Sequence, residues 1–238
     1  MSQQDQKVAV ITGGSQGIGA GLVAAYRQQG WAVVATSRTI KPSADPDVLT
    51  VDGDVSDPAT TDQIIGRALD RFGRVDTLVN NAGVYLSKPF TDYTAEDYAL
   101  VVSVNLTGFF WLTQRAVAEM LNQGGGHVVN ITTTLVDNAS SSAPSLLTAL
   151  TKGGLAAATR SLAIEYASRG VRVNAVSPGI IQTPIHPPES YAALGPQLPP
   201  LGHVGQVSDI VNGIWFLESS PFITGEILHI DGGQIAGH

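Results

Sequence analysis

Short runs of apolar, β-branched residues alternate with longer stretches of helical periodicity along almost the whole chain. The apolar runs predict strands at residues 8–11, 32–36, 48–51, 77–80, 128–131, 172–176 and 226–230. The stretches between them predict helices at residues 18–29, 59–72, 95–122, 152–168 and 207–217. Continuous apolar strands such as VAVI at 8–11 are typical of a parallel sheet that is covered on both faces. The alternation therefore predicts an α/β fold with an open, doubly wound parallel sheet flanked by helices.

This pattern is not interrupted by a linker or an internal repeat, which predicts a single domain over residues 1–238. A closed eightfold barrel is disfavoured because it needs an eighth strand. Residues 178–205 are rich in Pro and Gly and follow a predicted strand. Ligands bind at the carboxyl edge of such sheets, so we interpret residues of about 184–205 as a substrate lid rather than as an inert loop.

Composition excludes several classes of protein. With 43% hydrophobic and 14% charged residues, the chain has enough apolar surface to fold. The net charge of −7 disfavours nucleic acid as the main partner. The lack of Cys excludes disulfides and thiolate ligands, and five scattered His predict no metal site. A polar amino terminus and the lack of a long apolar run predict a cytoplasmic protein with no membrane partner.

A glycine-rich loop follows the first predicted strand directly. Residues 12–19 (TGGSQGIG) place Gly13, Gly17 and Gly19 in a G-x-x-x-G-x-G pattern, unlike the commoner G-x-G-x-x-G. Without Cβ atoms the backbone can turn sharply and approach a pyrophosphate, which then lies at the amino end of the next helix. The alternative is a connecting turn that binds nothing, since short Gly patterns recur by chance.

The second strand ends beside Ser37 and Arg38, about twenty residues beyond the loop, where a dinucleotide-binding sheet presents the residue that contacts the ribose. An acidic residue there binds the 2′-hydroxyl of NAD(H), whereas Arg favours the 2′-phosphate of NADP(H). A charge-assisted contact of about 1.5–3 kcal/mol predicts a roughly 10- to 100-fold preference for NADP(H). The alternative is a solvated Arg with no ligand.

Several further motifs occur together with the glycine loop. They are residues 53–57 (GDVSD), residues 80–83 (NNAG), Asn105, residues 174–179 (NAVSPG) and residues 231–233 (DGG). In this order and spacing, the chain resembles the short-chain dehydrogenase/reductase family of the classical type over essentially its full length. The resemblance implies an NAD(P)-binding Rossmann-type sheet of seven strands in the order 3-2-1-4-5-6-7. It also implies a small-molecule substrate and a homo-oligomer, either a dimer or a tetramer.

The resemblance assigns many residues to the cofactor. They are Gly13, Ser15, Gln16, Gly17, Ile18, Gly19, Ser37, Arg38, Asp54, Val55, Asn81, Ala82, Gly83, Lys152, Pro178, Gly179, Ile181 and Thr183. Residues 54–55 resemble the pair that binds adenine, and residues 81–83 the segment beside the adenosine ribose. Residues 179–183 resemble the segment that holds the nicotinamide carboxamide.

The sequence departs from the family at the catalytic tyrosine. Members of the family carry a Tyr four residues before a Lys, so that the ammonium lowers the pKa of the phenol. Here Lys152 is present, but Thr148 stands at the Tyr position, and a spacing of seven reaches Ser145. No Tyr occurs between Tyr98 and Tyr166. Because an aliphatic hydroxyl is too weak an acid to replace the phenol, we expect a loss of about 10²–10⁴ in rate unless another group compensates.

Two other catalytic positions are assigned by the resemblance. Thr133 stands at the place of the catalytic Ser after the fifth strand, with Thr132 and Thr134 as near alternatives. Its hydroxyl can still form a hydrogen bond with a substrate oxygen. Asn105 resembles the residue whose backbone carbonyl orders a water in the proton relay, although a buried Asn often only ties the backbone together.

Three hypotheses follow from the missing Tyr. In the first, Tyr85, His186 or Tyr191 supplies the proton, each of which is alternatively a packing or rim residue. In the second, the substrate is a C=N compound that is already protonated. In the third, the chain is a catalytically impaired NADP(H)-binding sensor or scaffold. We favour an oxidoreductase acting on CH–OH or C=N groups, because Lys152 and the carboxamide segment are retained.

Two remaining features receive structural interpretations. The serine run at residues 140–142 is interpreted as a solvated polar linker, since it lacks the G-x-S-x-G pattern of a nucleophilic serine. Residues 109–112 (FFWL) predict a helix that is either core or a subunit seam, and the resemblance favours the seam.

Overall fold

One parallel sheet organises the protein. The computed structural model describes residues 6–184 and 198–237. In these ranges the strands are β1 (Val8–Thr12), β2 (Ala32–Ser37), β3 (Val48–Asp52), β4 (Thr77–Asn80), β5 (Gly126–Ile131), β6 (Val171–Pro178) and β7 (Ile227–Ile230). They pair in parallel in the order β3-β2-β1-β4-β5-β6-β7. The predicted fold class and strand order are confirmed.

The helices lie at the predicted places, with two differences. They are α1 (Gly17–Gln28), α2 (Pro58–Phe72), α3 (Ala95–Val102), α4 (Gly108–Asn122), α5 (Leu146–Tyr166) and α6 (Val207–Ser219). Helix α5 begins six residues before the predicted start at residue 152, because Leu147, Thr148 and Thr151 continue its buried face. The predicted helix at 95–122 contains a π-helical turn at Ser103–Thr107, between α3 and α4. A π turn is an insertion that apolar periodicity does not reveal.

Each face of the sheet is covered by its own helices because strand side chains alternate between faces. On β1, Val8 and Val10 belong to the core that includes residues of α2 and α4. Ala9 and Ile11 belong to the core that includes residues of α1 and α6. These strand residues are essentially inaccessible to solvent. Burial on both faces explains the continuous apolar runs in the sequence.

A buried polar cluster lies where β4 and β5 begin. Glu218, in the last turn of α6, accepts hydrogen bonds from the Tyr26 hydroxyl (3.1 Å), the Thr77 hydroxyl (2.9 Å) and His127 Nδ1 (3.0 Å). Asn174 Nδ2 donates to His127 Nε2 at 3.0 Å, so the proton of the neutral imidazole is on Nδ1. Burial lowers the pKa of His127. The cluster ties α6 to the amino edge of the sheet.

The carboxyl edge of the sheet carries the loops that follow β1, β2, β4, β5 and β6. Parallel strands end at the same edge, so residues far apart in sequence meet there. Residues from these loops, and from the segments after β3 and β7, line one cavity of about 1020 Å³. This cavity is the candidate site.

Candidate functional site

The glycine loop forms a cradle that side chains would fill. Gly13 and Gly17 have positive φ angles of 67° and 54°, which L-residues rarely adopt. A Cβ atom on Gly19 would lie 2.1 Å from the carbonyl oxygen of Gly13. The first N–H groups of α1 have no intrahelical acceptor, and Gln16 supplies no side-chain cap. The loop therefore presents bare backbone and N–H donors, which suit a phosphate group.

A threonine that the sequence analysis did not single out holds this loop in place. Thr12 Oγ1 accepts the N–H groups of Asn81 (3.0 Å) and Ala82 (2.9 Å). The Asn81 amide in turn donates to the Thr12 carbonyl at 2.8 Å. These contacts join the ends of β1 and β4, so that residues 81–83 border the cradle. In the sequence, Thr12 is distinguished only by its position directly before Gly13.

Two side chains of opposite charge lie at the far end of the cavity. Arg38 follows β2 and is exposed, and Asp54 follows β3. The Asp54 carboxylate accepts the N–H (2.9 Å) and hydroxyl (2.7 Å) of Ser56. The backbone hydrogen bond from Ser56 is the main cause that lowers the pKa of Asp54, and the charge of Arg38 adds to it. This end offers an exposed guanidinium fork beside a carboxylate that is ionised at neutral pH.

Helix α5 places Lys152 at the inner end of the cavity. Its Nζ donates to the Ile131 carbonyl at 2.7 Å, and burial lowers the pKa of Lys152 to about 8. A Cβ atom on Gly83 would come within 3.0 Å of this Nζ, so the glycine leaves room for the ammonium group. Lys152 is thus a largely charged group at pH 7, held at the point where β5 ends.

Two threonine hydroxyls share this inner end. Thr148 lies one turn before Lys152, is almost fully buried and lines the cavity. Its Oγ1 accepts the Leu86 N–H at 3.3 Å. Thr133 Oγ1 accepts the Leu135 N–H at 3.4 Å. Because both hydroxyls act as acceptors toward the protein, both retain a proton that can be donated to a ligand.

Asn105 lies behind the cavity, in the π-helical turn between α3 and α4. Its Oδ1 accepts the Val84 N–H at 2.8 Å, and its Nδ2 donates to the Val84 carbonyl (3.0 Å) and to Thr151 Oγ1 (3.1 Å). The side chain therefore positions the segment that follows β4 against α5. The backbone role that the resemblance implies for Asn105 remains a prediction.

The segment between β5 and α5 lines the cavity. Residues 140–142 are exposed, as expected for a solvated polar segment, and they also belong to the lining of the cavity. We refer to residues 137–145 as the β5–α5 loop. Asn138 Nδ2 donates to the carbonyl oxygen of Gln234 at 2.7 Å, which holds the loop beside the turn after β7. Sequence periodicity carries no information about this long-range contact. Gln234, which the sequence analysis missed, also lines the cavity.

The predicted lid begins close to the cradle. Ile181, Thr183 and Pro184 line the cavity, and a Cβ atom on Gly17 would contact Thr183 at 3.4 Å. Ile181 pairs with Gly205, which closes the base of the segment. His186 and Tyr191, the two lid residues predicted as proton donors, lie outside the described residues.

The cavity brings together most of the predicted site. It is lined by Gly13, Ser15, Gln16, Gly17, Ile18, Ser37, Arg38, Asp54, Val55, Asn81, Ala82, Gly83, Tyr85, Thr133, Thr148, Lys152, Pro178, Gly179, Ile181 and Thr183. Gly19 and Asn105 lie behind this lining in the structure. Within the described ranges, Tyr85 is the one tyrosine in the lining, and it is 42% exposed.

Residues 6–184 and 198–237 contain no cluster of three or more His, Asp or Glu side chains that could hold a metal ion. The helices in these ranges are too short or too polar to cross a bilayer.

Comparison with known proteins agrees with this geometry. A family model described as Enoyl-(Acyl carrier protein) reductase matches residues 13–234. The chain is 34% identical to 3beta-hydroxysteroid dehydrogenase 1 of Eggerthella lenta, over 96% of this chain and 93% of that protein. It is 32% identical to the 3-oxoacyl-[acyl-carrier-protein] reductase FabG of Thermotoga maritima, over 96% of this chain and 98% of that protein.

Solved structures show the same likeness. The structure of ElxO with NADP bound superposes with a TM-score of 0.87 at 30% identity, covering 98% of this chain and 100% of that chain. A tyrosine-to-phenylalanine variant of ElxO with NADPH bound gives a TM-score of 0.88 at 30% identity and the same coverage. With the sheet order, the glycine cradle and these matches in agreement, the chain belongs to the short-chain dehydrogenase/reductase family.

Proposed function

We propose that this protein is an NAD(P)(H)-dependent oxidoreductase that transfers a hydride between nicotinamide and a small carbonyl/alcohol or imine/amine substrate. One observation carries the proposal: the glycine cradle and the Thr133–Thr148–Lys152 group line the same cavity of about 1020 Å³. This volume is at the upper limit of common small-molecule sites, so it has room for a dinucleotide and a substrate.

The residues of the cleft fit a dinucleotide. The cradle around Gly13, Gly17 and Gly19 admits backbone contact that a Cβ atom would block. Arg38 and Ser37 would hold the ribose at one end, and Lys152 would hold the nicotinamide ribose at the other. When bound, the coenzyme supplies or accepts the hydride. The chain's own contribution is to orient the substrate oxygen or nitrogen and to provide its proton.

Arg38 supports a preference for NADP(H) over NAD(H). A guanidinium forms bidentate contacts with a phosphate, which a ribose hydroxyl cannot match. We expect calorimetry to give a roughly 10- to 100-fold tighter Kd for NADP⁺ than for NAD⁺. Arg38→Asp should remove this preference, while Arg160→Asp on exposed α5 surface leaves it unchanged. Equal affinities in the unaltered protein would contradict the assignment of Arg38.

The proton donor is non-standard because Thr148 occupies the place of the family's Tyr. The Thr148 hydroxyl can donate a hydrogen bond but cannot ionise near pH 7. Tyr85 is the candidate donor within the described lining, and His186 and Tyr191 are the candidates outside it. We expect Tyr85→Phe, His186→Ala or Tyr191→Phe to reduce turnover by about 10²–10⁴. Full activity in all three variants would exclude this route.

Thr148→Tyr tests the same point in the opposite direction. A phenol there would lie one helical turn from Lys152, whose ammonium lowers the pKa of the phenol. We expect kcat to rise by about 10²–10⁴, measured as NADPH oxidation with a ketone. Thr148→Phe is the matched control, since it adds the ring without the hydroxyl. A Tyr variant no faster than the Phe variant would contradict the view that a missing acid limits the rate.

A protonated imine substrate would remove the need for a strong acid. The comparison of 2-methyl-1-pyrroline with 2-methylcyclopentanone, at equal NADPH, separates C=N from C=O reduction. Faster turnover of the imine favours the C=N substrate class. Faster turnover of the ketone assigns the protein to the C=O class.

A second candidate function is that of an NADP(H)-binding sensor or scaffold. The observation that favours it is the buried Thr148 hydroxyl, which is too weak an acid to replace a phenol. Tight NADP(H) binding with no turnover across a panel of carbonyls and imines would support this function. Sustained turnover of any member of the panel would exclude it.

We also expect a homo-oligomer, either a dimer or a tetramer. Helices α3, α4 and α5 expose the large apolar side chains Tyr98, Leu100, Phe110, Trp111, Leu146 and Leu150. A patch of this kind is typical of a subunit interface. Light scattering should report a dimer or a tetramer. Phe110→Glu should shift the protein toward the monomer, whereas the control Gln63→Glu on α2 should leave its mass unchanged. A monomer at micromolar concentration would contradict the expectation.

A further inference from the structure

One wall of the cleft carries polar groups that hydride transfer does not use. Residues 138–143 of the β5–α5 loop and Gln234 all line the cavity. Asn138 joins the two segments through its hydrogen bond to the Gln234 carbonyl. This wall adjoins Thr133, so it faces the part of the cleft where a substrate would meet the catalytic group.

Gln234 holds an unpaired acceptor in this wall. Its Oε1 is shielded from solvent and has no hydrogen-bond partner among residues 6–184 and 198–237. The turn around it is fixed, because the Asp231 carboxylate accepts the N–H groups of Gly233 and Ile235, both at 2.9 Å. A Cβ atom on Gly179 would lie 2.4 Å from this Oε1, so the glycine makes space for the amide. A desolvated acceptor without a partner is costly, and a ligand donor would satisfy it.

The other buried side-chain oxygens without partners do not contribute to the cleft. Within the described ranges they belong to Thr36, Thr61 and Ser177, none of which lines the cavity. Of these four residues, Gln234 is the one that lines the cavity.

The serine run adds hydroxyl groups to the same wall. Ser140 Oγ and Ser142 Oγ are 2.8 Å apart and share one hydrogen bond. Two hydroxyls carry two protons, so this pair still has one O–H group to donate and lone pairs to accept. Together with the Gln234 amide, the wall offers both donors and acceptors.

The wall is also uncharged. The charged side chains in the described lining are Arg38, Asp54 and Lys152, and none belongs to residues 138–143 or 234. A carboxylate or phosphate on the substrate would find no cation in the wall. An apolar substrate would leave the amide and hydroxyl groups of the wall without hydrogen-bond partners. Alcohol groups, which both donate and accept, match this arrangement.

We propose that Gln234, Ser140 and Ser142 form a hydroxyl-recognising subsite that selects small polyhydroxylated ketones or the corresponding polyols as substrates. The proposal rests on the oxidoreductase function proposed above and specifies its substrate class. It separates this chain from any relative whose substrate is an unsubstituted ring system or acyl chain.

A series of four-carbon ketones tests the subsite with the carbon skeleton held constant. Butanone, 1-hydroxybutan-2-one and erythrulose differ in the number of hydroxyl groups. With the full chain and saturating NADPH, we expect kcat/KM to rise along the series, by a total on the order of 100-fold. Gln234→Met should remove most of this rise, through an increase in KM for erythrulose. Ser142→Ala should remove part of it.

Two surface variants control for general effects of these changes. Gln63→Met on α2 and Ser161→Ala on α5 are exposed and remote from the lining. Both should retain the full preference for erythrulose. The subsite proposal would be wrong if kcat/KM were equal for the three ketones in the unaltered protein, or if the preference for erythrulose persisted in Gln234→Met. Turnover of any of the three ketones would still support the oxidoreductase function.

A binding measurement decides the subsite separately from catalysis. Saturation-transfer NMR with erythritol and 2-butanol, with and without NADP⁺, needs no turnover. If erythritol binds to the unaltered protein and not to Gln234→Met, the subsite is upheld, whether or not any ketone is reduced. If no ketone is reduced in that case, only the proposed hydride transfer is wrong. If erythritol binds no better than 2-butanol under both conditions, the subsite proposal is wrong.

Discussion

Replacing Lys152 with methionine should make the coenzyme-free protein more stable at neutral pH. Burial lowers the pKa of Lys152 from 10.5 to about 8. At pH 7 the amine is therefore protonated in both states, but its protonation is more favourable in the unfolded chain, where water solvates the charge. At about 1.4 kcal/mol per pKa unit, this costs about 3 kcal/mol of unfolding free energy. Loss of the 2.7 Å hydrogen bond to the Ile131 carbonyl offsets about 1 kcal/mol. We expect a net gain of about 2 kcal/mol.

The pH dependence of this gain identifies its cause. Because the pKa is lower in the folded state, the cost is full below pH 8 and disappears as the pH rises to 10.5. The stability difference between Lys152→Met and the unaltered protein should therefore narrow by about 2 kcal/mol between pH 7 and pH 9.5. Urea unfolding followed by tryptophan fluorescence measures the difference at each pH.

Lys41→Met, at an exposed lysine, is the matched control and should show no such trend. A difference that stays constant from pH 7 to pH 9.5 would refute the assignment of a buried, charged amine. Lys152→Met should also bind NADP⁺ more weakly, because Lys152 lines the cavity that we propose to hold the coenzyme. Stability gained together with affinity lost is the expected mark of a residue kept for function.

Two further predictions concern the backbone cradle and the buried cluster. Gly19→Ala would place a methyl group 2.1 Å from the Gly13 carbonyl, so it should cost about 1–3 kcal/mol and weaken NADP⁺ binding in calorimetry. Gly66→Ala, whose Cβ has open space within α2, should instead stabilise the fold by about 0.5–1 kcal/mol. Equal effects of the two substitutions would contradict the close backbone packing at Gly19. Glu218→Gln should cost about 1–3 kcal/mol at pH 7. The pKa of Glu218 is lowered in the fold, so this difference should shrink as the pH falls below 4.5 in acid unfolding, whereas Glu226→Gln, at an exposed residue, should change little at any pH.

Local pattern was sufficient to predict the strands of the sheet and the glycine-rich end of the cleft. Strand β4 begins and ends at the predicted residues, and the other strands differ from prediction by one or two residues at their ends. Continuous apolar runs are short-range signals that report burial on both faces. The glycine loop was equally readable, because positive φ angles and close backbone approach leave few alternatives to glycine.

The inner end of the cleft depended on contacts between distant segments. The family resemblance paired Thr148 with Lys152, although the helix predicted from the sequence pattern began only at residue 152. The low pKa of Lys152 arises from burial against β5. The role of Asn105 became visible through its hydrogen bonds to Val84 and Thr151. Neither the burial of a single lysine nor a hydrogen-bond partner twenty or more residues away leaves a periodic pattern in the sequence.

The sequence by itself therefore determined the fold, the cradle and the absence of a tyrosine at residue 148. Tertiary structure alone decided that the serine run lines the cleft and that Gln234 joins it, since these segments meet through the hydrogen bond between Asn138 and Gln234. The physical reason is the range of the forces involved. Backbone conformation and strand burial are encoded by neighbouring residues, whereas the polar wall exists because parallel strands bring the loops after β5 and β7 to one edge of the sheet.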